Sequence, residues 1–314
     1  MQRRYKLDQY FGEVSICYTN SLAMTLDSYG FEYRPEFLEA IMVMGNGANV
    51  AHEDEKHPLV FFDNGSPDQS ISNCLRILGF EYDDYYLEDS SKINSDVIKV
   101  QLERLLAFGS VIVGPLDMGY LTYNPNCQVL HGVDHFVSVY NLTDNDIYLH
   151  DPAGFSCLEV NFAEFLKAWK AESIAYKRGS YSMWGNLRKL RFPTDEEIYH
   201  ETSLVIKKRY EFGEEGVISN YAKVVAENGL NDEQKKLHQY FSFKLASVRN
   251  LYLCKFLEKY DLRRSKIKEK LAILFGQAHI NSVGEDYKEL AKTLEEIARW
   301  DNEFRELSIN YERI

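Results

Sequence analysis

Residues 15–26 read SICYTNSLAMTL and residues 134–154 read DHFVSVYNLTDNDIYLHDPAG, and the reading of these two stretches decides the fold. In the first, a lone cysteine, Cys17, stands where a helical apolar pattern begins. Leu22, Met24, Leu26 and Tyr29 form its broad apolar face, and Gly30 supplies the residue that ends helices in a left-handed turn. In the second, Phe136, Ser138 and Tyr140 alternate with Val137 and Val139, as a strand requires. Thr143–Asp146 is a tight turn, Ile147–His150 returns, and Pro152 ends the segment. The hairpin places His135 at the start of one strand and Asp151 at the end of the next, so the turn brings both to the same open end. Cysteine, histidine and aspartate in that order are the parts of a nucleophilic thiol site.

The chemistry follows from the local contexts. A thiolate is the reactive form of cysteine, and a helix N-terminus beside an imidazole favours it. Cys17 is at the predicted helix start, His135 would exchange protons with it, and Asp151 would accept the other ring N–H and fix the tautomer. Each residue also has a plainer reading: a small core thiol, a hydrogen-bonded strand histidine, and a turn-forming Asp before Pro. His131 and His150 flank the pair as substitutes for His135, and Asp134 could stand in for Asp151. Asp117, directly after the apolar strand 110–116, either lines the cleft or shapes the following loop. Cys127 sits in a loop with no helix start or base beside it. His52 and His57, with Glu53, Asp54 and Glu55, match no strong metal-ligand spacing and read as a solvated charged loop. Gly45 to Gly47 is a poor phosphate loop, with no strand before it and no lysine after it. No metal and no cofactor is expected.

Working outward, Pro35 opens a second helix and Ser66-Pro67-Asp68 a third. Residues 46–58 read as loop, with a short strand near 60–62. Strands are expected at 80–87, 157–160 and 178–191, and helices at 95–106 and 162–169. After Pro193 strand signals cease, and helices are expected at 194–209, 215–228, 231–259, 262–275 and 284–308. The expected fold class is α+β: a mixed domain over 1–193 with an antiparallel sheet, then an all-α domain over 194–314. The helical domain fits three roles: half of the cleft, a lid, or the face of a homodimer.

The 314 residues carry a net charge of -12, so a phosphate backbone would be repelled and nucleic acid is not expected as a partner. The five cysteines are odd in number and irregularly spaced, with no CxxC pair, so neither a disulfide framework nor a zinc ribbon is indicated. The basic start MQRRYKLDQYFGE is followed by no apolar stretch, and no run suffices to span a bilayer. The expectation is a reducing, cytoplasmic location with no membrane partner.

Five segments together resemble the butirosin biosynthesis protein H family. They are CYTNSLAMTLDSYGFEY at 17–33, EFLEAIMVMGNGANV at 36–50, VIVGPLDMGYL at 111–121, DHFVSVYN at 134–141 and YLHDPAG at 148–154. The hairpin also resembles the double-glycine leader peptidase domains of bacteriocin exporters. The resemblance implies a papain-like fold and transfer of an aminoacyl group from an acyl carrier protein thioester to a small amine acceptor, in specialised-metabolite (antibiotic) biosynthesis. Cys17 would form the acyl-enzyme, His135 would carry protons and Asp151 would orient it. Papain-like enzymes usually place a glutamine upstream of the nucleophile for the oxyanion. Here Phe11 occupies that place, with Gln9 and Glu13 nearby as candidates, and Tyr18 follows the cysteine where related peptidases have glycine. The alternatives are a cysteine amidohydrolase or peptidase, and a binding protein that keeps the fold without catalysis.

Overall fold

The computed structural model describes residues 12–88 and 94–312. Gln9 and Phe11 therefore lie outside the described residues. In chain order, the first elements are α1 (Cys17–Ser28), α2 (Pro35–Met42), β1 (Asn49–His52), β2 (Leu59–Phe61), α3 (Pro67–Ile77), β3 (Phe80–Leu87) and α4 (Ser95–Leu106). Then come β4 (Val111–Asp117), β5 (Asp134–Leu142), β6 (Asp146–Asp151), β7 (Phe155–Asn161), α5 (Phe162–Trp169) and β8 (Ser180–Lys189). The rest is helical: α6 (Asp195–Phe212), α7 (Val217–Asn228), α8 (Asp232–Leu237), α9 (Phe243–Leu257), α10 (Leu262–Val283) and α11 (Tyr287–Ile309). The protein is thus α+β, with an antiparallel sheet and a helical C-terminal region.

The chain divides into two compact units. One comprises residues 16–38 and 66–193, the other 12–15, 39–65 and 194–312 among the described residues. The first unit holds a six-stranded antiparallel sheet in the order β3-β8-β4-β5-β6-β7. The all-buried pattern of VIVGPLD in β4 matches its place inside the sheet. Val137 and Val139 of β5 join Ile98, Leu102, Phe165 and Trp169 from α4 and α5 in one core. Ser21 and Thr25 of α1 meet the alternate positions of β5. Ser21 Oγ donates to the Phe136 carbonyl at 3.0 Å, Thr25 Oγ1 and Ser138 Oγ share a 2.9 Å hydrogen bond, and the Tyr18 ring packs edge-on against Phe136. These contacts fix the start of α1 beside the start of β5.

The second unit departs from the expected division of the chain. Residues 39–65, assigned by sequence to the first domain, belong with the helical region. Buried charge ties them there: Arg249 of α9 donates to Glu39 at 2.8 Å and to Asp63 at 3.0 Å. Gln234 also donates to the Pro58 carbonyl at 3.0 Å. Residues 49–52, expected as loop, pair with β2 as a two-stranded ribbon. The single helix expected over 231–259 is interrupted by a wider π turn at His238–Ser242. There the buried His238 shares hydrogen bonds with Ser242 Oγ and Tyr221 Oη, both at 2.6 Å, and burial holds its imidazole neutral by lowering its pKa. Among the described residues, no helix is long and apolar enough to cross a membrane.

Removing the Arg249 guanidinium would take the counter-charge from two buried carboxylates, a loss that usually costs about 3–5 kcal/mol. Arg249→Ala is expected to lower the unfolding free energy of the helical unit, measured by urea denaturation, by that order. A loss below about 1 kcal/mol would mean that the segment is held by its apolar contacts instead.

Candidate functional site

All three sequence-predicted residues come together. His135 Nε2 and Asp151 Oδ1 are 2.6 Å apart, and both side chains are shielded from solvent, at 5% and 0% exposure. This arises from strand register. β5 and β6 pair antiparallel with Ser138 opposite His150, so the first residues of β5 and the last of β6 share one end of the sheet. With Nε2 committed to Asp151, Nδ1 is left for the thiol of Cys17, to which the imidazole is also hydrogen-bonded. Cys17 is half-buried at the first position of α1. That helix has no side-chain cap and no acidic residue in its first turn, so nothing there competes for its positive end.

Asp151 is held by three donors. Oδ1 accepts from His135 and from the Ala153 N–H at 2.6 Å, and Oδ2 accepts from the Tyr123 hydroxyl at 2.8 Å. Burial alone would raise its pKa, but the His135 hydrogen bond and charge, with the other donors, hold it below the ordinary value. Burial would also lower the His135 pKa. The hydrogen bond to Asp151, then that to Cys17, more than offset this and push it up to about 10. The ring is therefore an imidazolium at neutral pH and Asp151 a carboxylate.

The substitutes are engaged elsewhere. His131 is exposed, stands 3.9 Å from Asp117 and meets the Tyr120 ring edge-on. His150 stacks on Tyr140 and accepts from the Cys157 N–H at 3.1 Å. Asp134 is hydrogen-bonded to Tyr176. Asp117, considered for the cleft, is a loop anchor: Oδ1 accepts from the N–H groups of Gly119 (2.8 Å) and Gly132 (3.1 Å), and Oδ2 from Ser173 Oγ. Glu13 is exposed and belongs to the other unit. His57 of the charged loop bonds Gln234 Oε1 at 3.2 Å. Among the described residues, no group of three or more His, Cys, Asp or Glu side chains is placed to hold a metal ion.

Sequence reasoning missed Tyr123, which completes the Asp151 cluster. It lies in the 118–133 loop, whose path is set by Asp117 and by packing of Tyr123 on Phe155. It also missed Gly114. Its φ of +153° lies where L side chains seldom go, and a β-carbon there would come within 2.7 Å of the His135 carbonyl oxygen and 2.5 Å of the Phe136 ring. Glycine here lets β4 approach the histidine backbone.

Fold and site define an α+β protein with a buried aspartate–histidine pair bonded to a half-buried cysteine. A chain in Bacillus subtilis (strain 168), the uncharacterized protein YobF, is 32% identical over 305 residues, covering 94% of this chain and 96% of that one. The YobF C-terminal domain model matches residues 209–307. This chain belongs to the YobF family.

The raised His135 pKa carries a sign that can be tested. A histidine with a folded pKa above its unfolded value stabilises fully below the unfolded pKa, near 6.5, and that contribution is lost as pH rises through about 10. In 15N-histidine NMR spectra the His135 ring is expected to remain doubly protonated through pH 8. In Asp151→Asn its midpoint should fall by more than one unit. A wild-type midpoint at or below 6.5 would contradict the imidazolium assignment.

Proposed function

We propose that this protein is a cysteine-dependent acyltransferase of papain-like architecture, moving an acyl or aminoacyl group from a carrier-protein thioester to an amine. The observation that carries the proposal is the His135 ring, bonded at once to Asp151 and to Cys17 at a helix start. Cysteine helix, antiparallel sheet and chain order Cys–His–Asp all agree with it.

The reaction runs in two balanced halves. The Cys17 sulfur attacks the thioester carbonyl, the bond to the carrier sulfur breaks, and His135 delivers a proton to the departing thiolate. A neutral amine then attacks the acyl-enzyme, His135 takes up a proton from the new C–N adduct, and the Cys17 thiolate leaves. Asp151 keeps the ring oriented through both halves by holding Nε2. The Cys17 N–H, at the first helical position and outside the intrahelical ladder, is one donor for the oxyanion. Thioester-to-thioester exchange is nearly balanced and amide formation is downhill, so the sequence of steps needs no nucleotide.

Incubation with an aminoacyl thioester, on a carrier protein or on N-acetylcysteamine, is expected to add the acyl mass to Cys17. Adding a primary amine should discharge it as the amide. Cys17→Ala should give no adduct, and His135→Ala should slow acylation by about 10²–10⁴-fold. Discharge to free acid at the same rate with and without amine would favour an amidohydrolase. No adduct on Cys17 with any thioester, and no faster labelling of Cys17 by iodoacetamide than of half-buried Cys127 or exposed Cys157, would leave a binding protein.

A further inference from the structure

A second group of polar side chains lies within electrostatic reach of the thiol, and the two acyl-transfer steps do not use it. Asp68, in the first turn of α3, is only 6% exposed. Its Oδ2 accepts from the Arg178 backbone N–H at 2.9 Å, but its Oδ1 is buried with no hydrogen-bond partner. Such an orphaned carboxylate oxygen is costly and rare in a finished interior. The Arg178 guanidinium does not fill the vacancy. It is drawn to Asp84, donates to Ser182 Oγ and the Met183 carbonyl, and lies over the Trp184 ring at 3.9 Å and the Tyr86 ring at 4.7 Å.

The neighbours of Asp68 tie it to the reactive sulfur. The Tyr176 hydroxyl is hydrogen-bonded to Asp134 and lies within electrostatic reach of both Cys17 and Asp68. Asp134 and Asp68 also act on each other. Tyr176 itself is 53% exposed. Asp134 directly precedes His135 in β5.

We propose that Asp68, Asp134 and the Tyr176 hydroxyl form a cation subsite beside Cys17 that receives an alkylammonium group of the substrate, an inference that rests on Cys17 being the nucleophile. The fit is one of valence. An ammonium offers three N–H donors and no acceptor. The cluster offers a vacant carboxylate oxygen, a second carboxylate and a phenol oxygen. A bound cation also relieves the repulsion between the two carboxylates. Burial pushes the Asp68 carboxyl up to about 6, against the pull of the Arg178 N–H and charge, which marks it as a group still lacking a counter-charge. An anionic or purely apolar group placed here would leave Oδ1 unsatisfied. The occupant is an ammonium that is held, distinct from the neutral amine that attacks.

The test uses the full chain and two reagents of equal length and opposite charge, 2-aminoethyl and 2-sulfonatoethyl methanethiosulfonate. Rates of modification at Cys17, Cys127 and Cys157 are read by peptide mass spectrometry. The ratio of cationic to anionic rate cancels the intrinsic reactivity of each thiol, and Cys127 and Cys157 report the general effect of the acidic protein. At Cys17 the ratio is expected to exceed theirs by about tenfold or more. Asp68→Asn and Asp134→Asn should each lower it several-fold, and Tyr176→Phe by a smaller factor. A Cys17 ratio equal to that of Cys127, or one unmoved by all three variants, overturns the subsite. If circular dichroism shows that Asp68→Asn does not fold, Asp134→Asn and Tyr176→Phe decide, since neither fills a fully buried position. The nucleophile reading fails separately: Cys17 would then react with neutral methyl methanethiosulfonate no faster than Cys127, whatever the charge ratio.

Discussion

An imidazolium and a carboxylate meet at 2.6 Å in the sheet unit, where almost no water reaches either. Two charges taken out of water cost several kcal/mol each, and their attraction repays this only when every remaining lone pair and proton is also satisfied. Much of the surrounding structure can be understood as that condition being met. The register of β5 and β6 makes the contact possible. The turn after β6 supplies the Ala153 N–H. The 118–133 loop supplies the Tyr123 hydroxyl, and that loop is itself pinned by Asp117 through Gly119 and Gly132. The last proton of the ring faces the Cys17 thiol. The site is thus one connected polar network.

How much of this was legible in the sequence depends on the range over which each residue's role is set. Cys17, His135 and Asp151 were readable because their roles are local: a thiol where a helix begins, and a hairpin whose two strands alternate cleanly. Tyr123 was not readable, because one tyrosine among 22 in the chain gains its role only from the path of a loop. Asp68 reads as an ordinary first-turn acid after Pro67. Its significance comes from the Arg178 N–H, 110 positions away, and from the vacancy at Oδ1. The faint clue that existed was Asp117 followed by Gly119 and Gly132, a carboxylate with two unhindered amides to bind.

The fold was legible to the same extent. Helix starts at Pro35, Pro67, Asn161 and Thr194 carry chemistry that acts within four residues, whereas α4 is capped by Asn94 and not by Ser95 as its sequence suggested; Thr194 and Glu197 form a reciprocal capping box. The allotment of residues 39–65 to the helical unit had no such signal, since it depends on Glu39 and Asp63 finding Arg249 about 200 positions later. One hint stood in AIMVM at 40–44, apolar at every position and buried at every position, a pattern that neither an amphipathic helix nor an exposed loop would carry. The π turn at 238–242 was equally invisible, because an apolar helical period does not report a widened turn.

Electrostatics around the sulfur link the network to the chemistry. An anionic sulfur is favoured by the His135 imidazolium and by the positive end of α1, and disfavoured by every carboxylate nearby. Three carboxylates belong to the polar groups linked to it through His135 and Tyr176, and each is tempered by a different device. Asp151 is spread over three donors. Asp134 is bonded by the Tyr176 hydroxyl. Asp68 is driven toward its neutral form by burial. Only the third leaves an oxygen without a partner. A positively charged group arriving there would pair with the Asp68 carboxylate and reduce the net negative field around the sulfur.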